Sequence, residues 1–216
     1  HHHHLSALRG RHSCGDREEK IGMDLYRRLR HSYGFGVHSP RAYRLVKEVW
    51  IPDRGLRWYG YAEIEHALEL WWRTPEREAS GAKSYRSQHP LRRDARLLLR
   101  LAAFTGIKSV WLTPSFPSPL KAALLAADSR MRILTGSSPA GADMLVAIGL
   151  SSEKEKKRIS DYLKATPRGR VLILRNAPEE LSRIAEEAES GVMLRGRTRT
   201  FIERHPGNPL HIYDVI

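Results

Sequence analysis

The sequence is short of cysteine, short of acid and, at one decisive place, short of glycine. Its single cysteine, Cys14, excludes an internal disulfide and fits a reducing compartment, so a cytoplasmic protein is expected. No apolar run reaches the roughly 20 residues of a membrane span, and the first residues show no basic segment followed by an apolar core. Neither a membrane partner nor a signal peptide is therefore expected. Asp and Glu number 24 against 37 Lys and Arg, which leaves a net charge of +13 and a pI near 10.2. Such a surface attracts polyanions without reading their sequence, so nucleic acid is a candidate partner. No zinc finger, basic heptad or aromatic RNA-binding motif adds to that signal. Gly-x-Ser-x-Gly, a phosphate-binding Walker loop and paired Cys–His zinc spacing are also absent, so the common hydrolase, NTPase and zinc chemistries are not expected.

What is present suffices for a folded core. The 216 residues are 41% hydrophobic and include five Trp and eight Tyr, enough for one α/β domain with an appendage. Residues 1–22 have no sustained apolar period and are expected to add nothing to the fold. Their four leading His fit a tag or a leader better than a metal tract, and Met23 begins an amphipathic run. Residues 23–90 read as an N-terminal helical extension, with helices over 24–32, from Ser39-Pro40 to Trp50, and over 59–73. Ser39 suits the N-cap and Pro40 the first helical position, whose N–H has no partner in any case. Residues 74–90 read as a loop, and a strong helix over 91–104 ends near Gly106.

Strand and helix signals then alternate. Strands are expected at 109–113, 131–135, 143–148 and 170–174, with helices at 118–127, 153–165 and 178–189. A closing hairpin is expected within 198–216, around the turn HPGNP. This alternation predicts an α/β fold, a Rossmann-like and mainly parallel sheet with a C-terminal antiparallel hairpin, over 91–216. The link 136–142 is short for a crossover between parallel strands, which usually takes a dozen residues or more.

The missing glycine lies in the first strand–loop–helix unit. Loops at this place in nucleotide-type folds use glycine so that backbone N–H groups reach the ligand. Here the loop reads Thr113, Pro114, Ser115, Phe116, Pro117. Two prolines remove two donors.

The stretches GFGVHSPRAYRLV (34–46), YGYAEIE (59–65), SGAKS (80–84) and LRRDARLLLRLAAFTGIKSVWL (91–112) resemble a group of bacterial O-methyltransferase-like proteins. These belong to the class I S-adenosylmethionine-dependent methyltransferases. G-V-H-S-P is the most specific piece, and the later strands match only in pattern. The resemblance implies a cofactor site at the carboxyl ends of the first strands, and this chain departs from it there. The family's E-L-G-T-x-x-G falls on Trp111, Leu112, Thr113, Pro114 and Pro117. The acid that would hold the ribose after the second strand has no counterpart in MRILTGSS, which offers Thr135 and Ser137. The third strand and its helix are missing. The family's I-D-G is Ile148, Gly149, Leu150, and its D-D after the fifth strand is Arg175 and Asn176. Carboxylates accept both ribose hydroxyls and ligate magnesium or calcium, whereas an indole does neither and an arginine repels a cation.

Trp111, Thr113, Pro114, Ser115 and Ser137 are thus the positions of a degenerate cofactor pocket, with no cofactor, no metal and no catalytic residue expected. His38, Tyr59 and Tyr61 are candidate contacts for a partner or ligand. His38 suits a base or a capping turn, and the turn fits better. The tyrosines suit stacking on a ligand or packing of a helix, and packing fits better. Trp50, Trp58, Trp71 and Trp72 fit core packing somewhat better than a partner surface, while Asp94 and Arg96 read as surface residues. The favoured function is a degenerate methyltransferase-like protein with an interaction or regulatory role and an unidentified protein partner. The alternatives are an active S-adenosylmethionine-dependent O-methyltransferase with an atypical cofactor loop, and a basic nucleic-acid-associated module.

Overall fold

Seven short apolar runs pair into one sheet in the computed structural model, which describes residues 24–31, 34, 36–51, 60–74, 85–113, 116–149, 152–175, 184 and 188–216. The leader 1–22, Trp58, Tyr59, Pro114, Ser115, Asn176 and most of the helix expected over 178–189 lie outside these residues. The strands are β1 (Ser109–Leu112), β2 (Arg132–Leu134), β3 (Met144–Ile148), β4 (Arg170–Leu174), β5 (Val192–Arg195), β6 (Arg199–Glu203) and β7 (His211–Asp214). Their order across the sheet is β2-β1-β3-β4-β6-β5-β7. All run parallel except β6, which lies antiparallel between β4 and β5. β3 is a fully apolar run, and β4 is one after its opening Arg170, because both their faces are covered.

The helices are α1 (24–31), α2 (Pro40–Arg44, continuing as a π-helical turn over Leu45–Trp50), α3 (Gly60–Arg73), α4 (Gln88–Thr105), α5 (Ser118–Ala127) and α6 (Glu153–Ala165). Buried side chains of α2 to α5 share one cluster with Val110, Leu112, Val146 and Leu172 on one face of the sheet. α6, Ile184 and Ala188 cover the other face, against Trp111, Leu145, Val171 and Ile173. The alternation of successive side chains between the two clusters is the two-residue period of a strand. Among the described residues no helix is long and apolar enough to cross a membrane.

Local chemistry explains the element ends. Ser39 Oγ accepts the Ala42 N–H at 3.2 Å, the expected N-cap of α2. The Ile51 N–H reaches back five residues to the Val46 carbonyl at 3.1 Å, which closes the π turn. Gly106 ends α4 in the left-handed conformation (φ 66°), its N–H on the Ala102 carbonyl, where a side chain would be strained. Of Tyr43, Val46 and Trp50, which recur at helical spacing, Val46 and Trp50 are buried while Tyr43 is exposed.

The antiparallel hairpin sits one strand earlier than the turn HPGNP suggested. β5 turns through Gly196, Arg197 and Thr198 into β6, with Arg195 opposite Thr200. β6 has β4 on one side and β5 on the other, so both its edges are filled. β7 therefore pairs with the free edge of β5, in parallel, from Val192↔His211 to Arg195↔Asp214. A three-residue loop with glycine is a good hairpin turn. Gly191, at the far end of β5 (φ 102°), meets the Glu203 carbonyl so closely that no Cβ fits.

The link from β2 to β3 makes a parallel crossover with no helix. It has nine residues, 135–143, and is pinned at both ends. The Gly136 carbonyl accepts the Trp111 indole N–H at 3.2 Å. The Asp143 carboxylate accepts the Lys108 and Ser109 N–H groups at 2.8 and 3.2 Å, where β1 begins.

The two ends of the described chain are bonded together. Arg28 of α1 is buried and donates through Nη1 to the Arg195 and Val215 carbonyls, at 2.9 and 2.7 Å. Trp50 Nε1 donates to the Ile216 carbonyl at 2.8 Å. Arg28→Ala takes the donor from the buried Val215 carbonyl, at roughly 1–3 kcal/mol, and leaves the Arg195 carbonyl with the Val215 N–H alone. We expect a fall of about 2 kcal/mol or more in urea unfolding, read as a lower midpoint at unchanged slope. An unchanged midpoint would show that α1 is only loosely attached to β5 and β7.

Candidate functional site

The carboxyl ends of β1 and β2 are where the resemblance implies a cofactor. The Trp111 side chain is fully buried there, on the face covered by α6. Its ring packs with Ala142, Leu145, Ile159 and Tyr162. The Arg158 guanidinium lies over it, 4.9 Å from the ring centroid, a favourable cation–π contact. The indole thus fills the space beneath the 135–143 link and holds that link by its own hydrogen bond. Thr113 is buried and continues the sheet ladder, its N–H on the Val146 carbonyl at 3.2 Å. Pro114 and Ser115 lie outside the described residues. Beyond them Pro117 caps α5, and Phe116 lies under the Lys121 ammonium at 5.4 Å.

After β2, Thr135 and Ser137 are exposed. Ser137 lines a shallow groove of about 370 Å³ between the 135–143 link and α6, with Lys154, Lys157, Arg158, Asp161 and Tyr162. Burial pushes the Tyr162 hydroxyl up to about 12, and it donates to the Ala142 carbonyl at 2.8 Å, so it serves the link rather than a ligand. Trp111, Thr113 and the loop bearing Ser137 therefore come together. The other candidates do not join them. His38 is exposed at the turn into α2. Tyr61 packs against the cluster on the opposite face of the sheet. Its hydroxyl accepts from Arg100 Nη1 at 2.9 Å and its ring lies under Arg96 at 4.6 Å. Tyr59 lies outside the described residues. Trp50 and Trp71 are buried in that same opposite cluster and Trp72 packs at its edge.

One group of functional interest runs against the sequence reading. Asp94 is not a surface residue: it is only 2% exposed. It lies on the apolar stripe of α4, three residues after Leu91 and four before Leu98, so helical spacing alone points it inward. Its Oδ2 accepts the Tyr85 hydroxyl at 2.8 Å, and Arg199 Nε stands 3.6 Å from Oδ1. Burial raises the Asp94 carboxyl, against the opposing pull of Arg199, the Tyr85 hydrogen bond, Arg175 and Arg93. Burial, followed by the Asp94 charge, pushes the Tyr85 hydroxyl well above its ordinary value. Arg175 sits over the Tyr85 ring at 5.5 Å and Arg199 over the Trp50 ring at 5.8 Å. Arg100 is also buried, and burial lowers its pKa. Its Nε donates to the Val49 carbonyl at 2.7 Å, at the carboxyl end of the α2 π turn, where a cation is favoured. Among the described residues no group of three or more His, Cys, Asp or Glu is placed to hold a metal.

No family model matches the chain, and no curated protein matches it. Among solved structures, it is similar to the S-adenosylhomocysteine-bound methyltransferase PaMTH1 of Podospora anserina. That match has 12% identity and a TM-score of 0.36, and covers 78% of this chain and 72% of the other. It is also similar to the mitomycin 7-O-methyltransferase MmcR, at 12% identity and a TM-score of 0.35, over 76% and 71% of the two chains.

Proposed function

We propose that this chain is a class I methyltransferase-type scaffold that has lost its cofactor site and acts through interaction or regulation. Trp111 carries this reading. At the position where the resemblance implies the acid of the first-strand cofactor motif stands a fully buried indole, bonded to the Gly136 carbonyl and capped by Arg158. The chain also offers Arg175 where that resemblance implies a metal-binding acid. An interaction role is supported by α1, which leaves Leu25, Tyr26 and Leu29 exposed on its surface while Arg28 anchors it to the sheet. Contiguous exposed apolar side chains are a common mark of partner surfaces.

Each missing charged hydrogen bond costs a ligand roughly 1.5–3 kcal/mol. Two such losses weaken binding about a hundredfold or more, since about 1.4 kcal/mol is a factor of ten. Isothermal titration with S-adenosylmethionine and its demethylated product is expected to show no saturable heat in the micromolar range. Low-micromolar binding of either ligand overturns this proposal in favour of an active O-methyltransferase with an atypical loop.

A further inference from the structure

We propose that the guanidinium cluster at the carboxyl end of β4 is a binding site for a dianionic phosphate group, free or carried as a monoester. Sheet register builds the cluster. Arg199 opens β6 directly opposite Leu174, the residue before Arg175; Arg199 reaches Asp94, and Arg175 lies over the ring of Tyr85, which bonds to that same Asp94. α4 brings Arg93 and Asp94 against the same place, and Tyr85 bonds to Asp94 from the segment before that helix.

The charges there do not balance. Arg93, Arg175 and Arg199 all act on the single carboxylate of Asp94, and Arg93 and Arg100 both oppose the charge on Arg199. Arg100 adds no acid, since its partners are a carbonyl and a tyrosine hydroxyl. Arg199 is only 8% exposed, yet its Nε stands 3.6 Å from Asp94, beyond hydrogen-bond reach. Among the described residues neither Arg93 nor Arg175 has a carboxylate within ion-pair distance. Three guanidinium groups on one carboxylate leave an excess of two positive charges, which a dianion neutralises. Arginine forks match phosphate oxygens in pairs, so the group type fits as well as the charge.

Two further features point the same way. Arg175 holds a left-handed backbone (φ 58°), a conformation that residues with a Cβ seldom adopt. Such strain gathers at ligand sites and switches. The cluster also has an open side, because Arg93 is exposed and Arg175 half-buried, whereas Tyr85, Asp94 and Arg199 form its buried floor. This site lies on the face opposite Trp111, so a phosphate titration reads it whether or not S-adenosylmethionine binds.

The test is thermal melting and calorimetric titration of the full chain with inorganic phosphate, at ionic strength held constant with chloride. A saturable rise in melting temperature is expected at millimolar phosphate or below. Arg175→Gly removes the charge and also relieves the backbone, so the protein stays folded while phosphate affinity falls at least tenfold. Arg93→Gln, on the exposed rim, weakens it by a smaller factor. A phosphomonoester such as glycerol phosphate binding tighter than inorganic phosphate identifies the ester as the ligand class, and equal affinity identifies free phosphate. The proposal fails if the shift follows ionic strength alone, if succinate binds and phosphate does not, or if both variants bind phosphate as the parent does.

Discussion

Glu203→Gln is expected to destabilise the protein by about 3–5 kcal/mol, the usual cost of removing one partner from a buried ion pair. Glu203 is only 1% exposed at the end of β6. Arg41 of α2 grips it with two bonds, at 2.8 and 3.0 Å, and Arg170 of β4 adds a third at 2.7 Å. His205 Nε2 lies 2.7 Å from the same carboxylate. This one side chain therefore ties α2 to two neighbouring strands. With a neutral amide in its place, two guanidinium groups lose their counter-charge in a dry site. At roughly 2–4 °C per kcal/mol for a chain of this size, the melting temperature falls on the order of 10 °C.

The same group makes the protein acid-labile in a defined window. Burial works to raise the Glu203 carboxyl, but hydrogen bonds and charge from Arg41 and Arg170 prevail and hold it down to about 2, from an ordinary 4.5. A group depressed on folding stabilises the folded state above its unfolded value, and that contribution is lost as pH falls through the folded one. At about 1.36 kcal/mol per pKa unit, Glu203 contributes on the order of 3 kcal/mol that is complete above pH 4.5 and vanishes toward pH 2. Urea midpoints measured from pH 6 down to pH 2 should fall steeply in the parent and more gently in Glu203→Gln. Asp24 and Asp214 are also held low by arginines, so the variant keeps some slope. Parallel curves for the two proteins would show that Glu203 is not the group being titrated.

Much of this frame is legible in the residues, and the failures have physical causes. α6 and β4 fall at the expected 153–165 and 170–174, because local signals agree with burial there. The mainly parallel sheet also follows from strand–helix alternation. HPGNP is a louder turn signal than Gly196-Arg197-Thr198, so the sequence points to a hairpin one turn too late. Which edge of β6 remains free is a property of the whole sheet, and no local run encodes it. The burial of Asp94 is hidden for a different reason. Its helical spacing placed it inside, but its charge argued for the surface, and the compensating Arg199 lies about a hundred residues away in the chain. Glu203 is a similar case, an acid at the end of a fully buried strand whose partners Arg41 and Arg170 come from separate elements. The short 135–143 link succeeds because the Trp111 indole and the Asp143 carboxylate bond it at both ends.

Trp111→Ala is expected to cost roughly 3–5 kcal/mol, the range for deleting a large aromatic from a core. The indole is fully buried, packs against α6 and holds the crossover link, so its removal leaves a void and an unpaired Gly136 carbonyl. Trp111→Phe should cost less, about 2 kcal/mol, because most of the packing survives. It loses one hydrogen bond, worth about 1 kcal/mol, and weakens the contact with Arg158, worth roughly 0.5–1 kcal/mol at a half-exposed site. The two variants also test the function argued for this chain. The void in Trp111→Ala is bordered by the apolar cluster of Ala142, Leu145, Ile159 and Tyr162, by the Arg158 guanidinium and by the Gly136 carbonyl. Free indole matches that void in shape, in its N–H for the Gly136 carbonyl and in its ring face for Arg158. Free indole should therefore restore part of the lost melting temperature, and S-adenosylmethionine should restore none. Rescue by S-adenosylmethionine in place of indole would mean that Trp111 blocks a working cofactor pocket instead of replacing one, and that the chain is one substitution away from binding the cofactor.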